Sequence, residues 1–423
     1  MKLLSFISLF LISLNATAGN LVIHAGKLLA VPGEAPLPEQ TIIVSGNRID
    51  RVEAGYVAPS ADDTLLDLSD QFVMPGLMDM HVHLLGELGP DAAIRPLRES
   101  REFGVLRGVQ HAHRTLMAGF TTVRDLGGRR DSIFALRDAV AKNLVPGPRI
   151  FAAGSAIAAT GGHGDIDGIR PDLMEMWTTS SICDGAIDCR RATREAIKYG
   201  ADLIKITATG GVLSDSATGL EAQMTDEEMS EIVQTAERLG RKVAAHAHGA
   251  GGINAALKAG IYTIDHGTFL NRESVRLFRK TGAYLVPTMM PGHFIVGQME
   301  GNPFYTDAIK AKAYAASAQS KAGVAMAIEG GVKIAFGTDT GVTPHGMNAT
   351  EFKLMVDAGM DEMAALHSAT VVTAELLQVA DKLGTIEAGK LADIIGVRGD
   401  PLTDITVMQS VATVVSDGKV EKR

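Results

Sequence analysis

Between Val73 and Ala380 the chain repeats one pattern: a short apolar run, then a longer stretch whose apolar positions recur every three to four residues. The short runs read as strands buried on both faces, and the longer stretches as amphipathic helices. Eight runs qualify as strands: Gly76–Met80, Phe120–Arg124, Arg149–Ala153, Leu203–Thr207, Val243–His246, Thr263–Asp265, Tyr284–Pro287 and Ile334–Gly337. Asp226–Leu239, opened by the N-cap candidate Thr225, Ile253–Ala259 and Asp361–Val379 carry the helical period. Strand–helix alternation predicts an α/β fold with parallel strands. Eight strands over this length fit a (β/α)8 TIM-like barrel better than an open doubly wound sheet. No Gly-rich phosphate loop follows the first strand, and Gly127-Gly128 and Gly161-Gly162 lack the spacing of one.

The flanks differ in texture. Leu21–Ile23, Thr41–Val44 and Ile49–Val52 are β-rich runs separated by Gly, Pro and Asn, and Ala392–Val397 and Val411–Val415 match them at the other end. The expectation is one small β-sandwich domain built from both chain ends, residues 19–72 and 381–423, around a barrel spanning 73–380.

The first residues predict a signal peptide, 1–18. Lys2 precedes the apolar run Leu3–Leu14, and Ala16-Thr17-Ala18 supplies a small-x-small cleavage pattern. That run is too short for a relaxed membrane span, and no later one reaches the ~20 residues required. Export across the inner membrane follows as an expectation, with the periplasm as destination and no stable membrane span after cleavage. In an oxidising compartment Cys183 and Cys189, the chain's 2 cysteines, can close a small loop or stay as thiols; the context favours the bridge. Two cysteines exclude a four-thiolate metal site. Lys and Arg total 40 against 49 Asp and Glu, a net charge of −9, which argues against a nucleic-acid partner. A homo-oligomer is compatible with the sequence.

In a βα barrel, chemistry sits at the C-terminal ends of the strands. The first strand runs into His81-Val82-His83, whose imidazoles at i and i+2 point the same way and can share one ion. Lys205 lies inside the apolar run Leu203–Thr207, where an unpaired ammonium is costly. His246 and His248 end the fifth strand, His266 the sixth and Asp339 the eighth. A single H-x-H is weak evidence; groups of this kind on five strand ends are strong evidence for a metal centre.

These residues resemble the amidohydrolase superfamily of metal-dependent hydrolases. The matching features are Pro75-Gly76-Leu77-Met78-Asp79-Met80-His81-Val82-His83, Lys205, His246, His266, Gly337-Thr338-Asp339 and the closing Gly384–Asp393 stretch. Thr160–Asp165 and Thr209–Ser214 look like the Xaa-Pro dipeptidase-like branch, which includes Xaa-Arg/Lys carboxypeptidases and ochratoxin amide hydrolases. The resemblance implies two divalent ions, zinc above all. His81, His83 and Asp339 would hold one and His246 and His266 the other, with a carboxylated Lys205 as bridge. It further implies a metal-bridging hydroxide attacking the amide, with Asp339 as catalytic general base and then acid. An unmodified Lys205 paired to a carboxylate is the alternative. Substrates would be dipeptides or N-acyl amino acids with a free C-terminal carboxylate. Ochratoxin-type amides, or imidazolone or lactone rings, are the alternatives on the same site.

His163, in the loop after the third strand, His248, His345 and Arg124 are the candidate substrate-binding residues. Arg124 can meet a substrate carboxylate or pair with Asp125. Met289-Met290 reads as apolar pocket wall, and Asp165, Asp215 and Glu221 as contributors to any pocket for Lys or Arg. His111 and His113 read as structural or exposed.

Overall fold

The computed structural model describes residues 19–92, 94–165, 170, 172, 180–215, 218–302 and 304–423. The expected signal peptide falls outside these residues. Among the described residues no helix is long and apolar enough to cross a membrane.

The β-rich ends meet in one sheet. Strands β1 (Leu21–Leu28), β2 (Leu37–Ser45), β3 (Arg48–Ala54) and β4 (Thr64–Pro75) are joined by three C-terminal strands. These are β13 (Ile394–Val397), β14 (Val411–Ser416) and β15 (Lys419–Lys422). Their order is β15-β14-β13-β4-β1-β2-β3, so the two chain ends meet where β13 pairs with β4. The strands form a single seven-stranded ladder rather than the two separate facing sheets of a simple sandwich. Ile23, Ile42, Leu68, Val73 and Ile394 pack one face of it, an apolar cluster separate from the main core.

Gly76 alone separates β4 from β5 (Leu77–Val82), the first strand of the parallel region. A Cβ at Gly76 would lie 2.3 Å from Thr121 Oγ1, so the chain can pass here only without a side chain. The parallel strands continue with β6 (Phe120–Asp125), β7 (Arg149–Ala152), β8 (Ile204–Thr207) and β9 (Val243–Ala247). They end with β10 (Thr263–His266), β11 (Tyr284–Val286) and β12 (Lys333–Ile334). Hydrogen bonding divides them into a three-stranded sheet, β5-β6-β7, and a five-stranded sheet, β12-β11-β10-β9-β8.

Backbone bonds cross both seams between these sheets. After β7, Ile157 N donates to Lys205 O (2.8 Å) and accepts from Thr207 N at its own carbonyl (3.0 Å). On the other side, Met80 N donates to Phe336 O (3.0 Å) and Asp339 N to His81 O (2.7 Å). Strands β5, β6, β8, β9 and β10 are buried along their whole length, as strands covered by helices on one side and side chains on the other must be.

The helix Asp226–Arg238 starts where Thr225 predicts, through a capping box with Glu228. The helical pattern Asp361–Val379 is not one helix. It breaks into Glu362–Ser368 and Val371–Leu376, because the Thr370 backbone leaves the helical region while its hydroxyl bonds back to Leu366 O. Cys183 and Cys189 form a disulfide.

Candidate active site

The C-terminal ends of the parallel strands place two sets of ligand-type side chains around one lysine. In the first set, His81 on β5 and His83 just past its end lie two residues apart, with their Nε2 atoms 3.3 Å from each other. Asp339 Oδ1 lies 3.4 Å from His81 Nε2 and 3.1 Å from His83 Nε2, and it accepts no hydrogen bond although it is buried. His83 Nδ1 donates to Gly127 O (2.8 Å), which orients the ring and directs Nε2 at the cluster. Burial would lower the His83 pKa, but the Asp339 carboxylate more than offsets this and raises it to about 9. Burial would also raise Asp339, yet His81, His83 and Lys205 outweigh it, and the carboxyl is held below its ordinary range.

The second set is His246, His248 and His266, each offering a ring nitrogen to the same space. His266 Nδ1 lies 2.6 Å from Thr288 Oγ1 and His248 Nδ1 lies 2.8 Å from Thr268 Oγ1, leaving both Nε2 atoms for other partners. Burial, followed by the neighbouring imidazoles, pushes His246 and His266 well below the usual histidine range. His248 falls to about 3 through burial and His163. Neutral imidazoles with unshared lone pairs are the form that binds a metal.

His266, Thr288 and Asp339 all have left-handed backbone (φ 73°, 44° and 59°), an uncommon state for residues with a side chain. Three such residues gathered at one set of strand ends mark a place where the fold holds strained backbone in order to aim side chains.

Lys205 lines the same cavity as both sets. It is buried, and its Nζ donates to Asp265 Oδ2 (2.7 Å). Arg124 Nη2 donates to Asp265 Oδ1 (3.1 Å), so one carboxylate answers two buried cations. His81 Nδ1 is 3.7 Å from the same Oδ1. Sequence reasoning gave Asp265 no role. The available signal was electrostatic: Lys205 and Arg124 both sit inside apolar strands, and each demands a buried anion nearby.

A cavity of about 320 Å³ opens over both sets. It is lined by His81, His83, Lys205, His246, His266 and Asp339, and also by His163 and His248. His163 Nδ1 lies 2.7 Å from Ser214 Oγ, its ring 4.3 Å from that of His246, and burial with Lys205 lowers its pKa to about 4. Leu126, Ala156, Val212, Leu213, Pro291, Ile295, Ala313, Ala316 and Val342 make the rest of the wall largely apolar.

Several sequence-predicted residues lie elsewhere. Arg124 does not line this cavity: Nε donates to Met80 O (2.7 Å) and Nη1 to Thr263 Oγ1 (3.2 Å), and its ion pair is with Asp265, not Asp125. Those three bonds hold the guanidinium beneath the site, and Arg124 is not in the cavity wall to meet a substrate carboxylate. His345 is also off the cavity wall, buried against His111 with their ring centroids 4.2 Å apart. Met289 and Met290 give their backbone N–H groups to Glu351 (2.8 and 2.9 Å) and are not in the wall. Nor are Asp165, Asp215 and Glu221.

Comparison with known proteins shows the family. The sequence pattern of the Amidohydrolase family matches residues 72–420. The ochratoxinase of Aspergillus niger is 31% identical over 428 residues, covering 95% of this chain and 86% of the relative. A crystal structure of a Xaa-Pro dipeptidase with methionine bound in its active site superposes with a TM-score of 0.91 at 42% identity, covering 96% of this chain and 100% of that one. A prolidase complexed with N-methylphosphonate-L-proline gives 0.86 at 30% identity, with 96% and 100% covered. The chain therefore belongs to the amidohydrolase family and is a hydrolase acting on amide bonds.

Proposed function

We propose that this chain is a binuclear metal-dependent hydrolase of small amides with a free C-terminal carboxylate, dipeptides or N-acyl amino acids whose side chains are apolar. One observation carries the reading. Two convergent ligand sets, His81/His83/Asp339 and His246/His248/His266, line one cavity together with Lys205. The reading takes the two parallel sheets as one closed eight-stranded barrel, which the backbone bonds across both seams support. It takes the ions as zinc and the working compartment as the periplasm.

The residues present fit such ions. Asp339 Oδ1 is buried without a hydrogen-bond partner, and His83, His248 and His266 each have their second ring nitrogen engaged by a carbonyl or hydroxyl. His81, His83 and Asp339 would hold one ion, and His246 and His266 the other. Bound divalent ions would lower the pKa of a water to near neutrality and polarise the scissile carbonyl. Carboxylation of Lys205 would place an anionic, bidentate group between the two sets and release Asp265 to Arg124 alone.

The chain's own groups then divide the remaining work. Asp339, held as a carboxylate at neutral pH, takes the proton of the attacking water and returns it to the leaving nitrogen. His163 and His248, each fixed by a hydroxyl, direct their remaining ring nitrogen toward the substrate's polar end. The apolar wall receives the side chain. With no carboxylate in the described wall except Asp339, a Lys or Arg side chain would meet no partner there and would lose its hydration. The names of two relatives, an ochratoxinase and a Xaa-Pro dipeptidase with methionine in its active site, are compatible with this reading.

The test is a substrate panel with chelator-stripped protein before and after zinc reloading. Xaa-Pro and N-acyl-Phe amides, ochratoxin A included, are expected to be cleaved at least tenfold faster in kcat/KM than Xaa-Arg or Xaa-Lys. Turnover unaffected by stripping would overturn the metal reading, and a preference for Arg or Lys the substrate reading.

A further inference from the structure

A third cluster of ligand-type side chains lies outside the cavity and takes no part in the reaction above. Glu87, His111 and His345 each present one ligand atom, all within 4.8 Å of one another. The hydrogen bonds fix the state of both rings. His111 Nδ1 is 2.8 Å from Leu84 O, and His345 Nε2 is 2.8 Å from Gly86 O. A carbonyl oxygen can only accept, so those nitrogens carry the protons. What remains is His111 Nε2 and His345 Nδ1, each a bare lone pair. His345 Nδ1 is fully buried and has no hydrogen-bond partner. The rings are stacked with 18° between their planes, and both residues are about 95% buried or more. A buried imidazole lone pair without a donor, His345 Nδ1, set beside a second lone pair and a carboxylate is unfavourable unless something positive fills the gap.

We propose that Glu87, His111 and His345 form a separate binding site for a single divalent cation of the zinc class. Two neutral imidazole nitrogens and one carboxylate oxygen match the ligands that such ions take, with water completing the shell. Both imidazoles have their second nitrogen on a backbone carbonyl, the orienting bond that metal-bound histidines almost always make. Glu87 Oε2 already accepts from His345 N (2.8 Å), which holds the carboxylate beside the ring. Arg114 lies 3.8 Å from the same oxygen, but its side chain is 45% exposed and can turn to solvent.

The position explains what the ion does. Glu87 is four residues past His83, and His345 is six past Asp339. An ion at this site ties the loop after β5 to the loop after β12, the two segments that begin at ligands of the first cavity set. Leu88 N to Gly341 O (2.7 Å) and His83 N to Thr340 O (2.7 Å) already link these loops, and the ion would lock them further. It therefore acts as a staple, holding His83 and Asp339 in register, and does not touch the substrate.

The test counts metal. The full-length protein is stripped with chelator, reloaded with zinc, desalted, and measured for zinc per folded chain. The wild type is expected to hold one equivalent more than His111→Ala and one more than Glu87→Gln. Loading with Co(II) should show a visible absorption component present in the wild type and lost in both variants. Equal zinc counts in wild type and in folded Glu87→Gln and His111→Ala would overturn the proposal and mean that a water fills the gap. The outcome is independent of the cavity. Should the cavity sets hold nothing, the wild type would still bind one ion that both variants lose.

Discussion

At the residue scale, the site is an exercise in controlling charge without water. Lys205, Arg124 and Asp265 are buried together, and two cations on one carboxylate leave the triad with an excess positive charge. Burial, with Lys205 adding to it, keeps His163 neutral, and His81 and His83, with Lys205, hold Asp339 low. Asp339→Asn preserves shape and one ligand oxygen but removes the proton acceptor. We expect kcat to fall by about three orders of magnitude while bound metal stays above half the wild-type amount, read by steady-state kinetics beside metal analysis. Near-normal turnover would remove Asp339 from its role. Gly211 supports a second prediction. A Cβ there would stand 2.1 Å from His163 Cε1, so Gly211→Ala must drive the ring off Ser214. Metal content should be unchanged and kcat/KM reduced about tenfold; an unaltered kcat/KM would mean that His163 does not position substrate.

At the element scale, the strands place the candidate metal ligands and the helices brace the loops behind them. Glu351, in the helix Thr350–Asp357, accepts from Met289 N and Met290 N at the start of the helix Met290–Gln298. This fastens the chain just past β11, where Thr288 holds His266. Burial raises the Glu351 carboxyl from 4.5 to about 8. An acid whose pKa rises on folding ionises more readily in the unfolded chain, so its contribution is full below pH 4.5 and declines as pH climbs toward about 8. Glu351→Gln cannot ionise. The stability difference between variant and wild type should therefore shift in the variant's favour across that window, measured by denaturant titration from pH 4.5 to 8.5. A difference independent of pH would show that Glu351 does not titrate there.

Eight strand-like runs were legible from apolar patterning, and each overlaps a strand of the parallel sheets, the last, Ile334–Gly337, only at Ile334, because strands buried on both faces leave an unbroken apolar signature. The break at Thr370 was not legible. A threonine fits either side of a helix boundary, and the choice depended on where its hydroxyl found a carbonyl.

At the scale of the whole molecule, the small sheet closes the chain on itself. β13 from one end pairs with β4 from the other, and β4 runs straight through Gly76 into the first ligand-bearing strand. Any ion in the cavity binds residues drawn from β5, β8, β9 and β10 and the segment after β12, and so joins parts of the chain far apart in sequence. Ligands that bind only the folded state stabilise it by mass action. Chelation should lower the thermal midpoint by several degrees, and the midpoint should climb again with free zinc concentration. A midpoint indifferent to zinc would mean that the ions are not held by the folded sets.

What the sequence determined by itself is the set of things that follow from local pattern. Apolar runs mark strands, H-x-H on a strand sets two imidazoles on one side, and strand-end placement selects His246, His266 and Asp339. Those features depend on backbone geometry that a few consecutive residues impose. What only the tertiary structure decided is pairing. Arg124 and His345 carry suitable chemistry at suitable positions along the chain, yet Arg124 turns beneath the site to share Asp265 with Lys205, and His345 stacks on His111 beside Glu87. A side chain's partner is set by which strand or loop lies next to it, and burial makes that choice binding, because an ionic or polar group removed from water must take whatever counter-charge or donor the neighbouring element supplies.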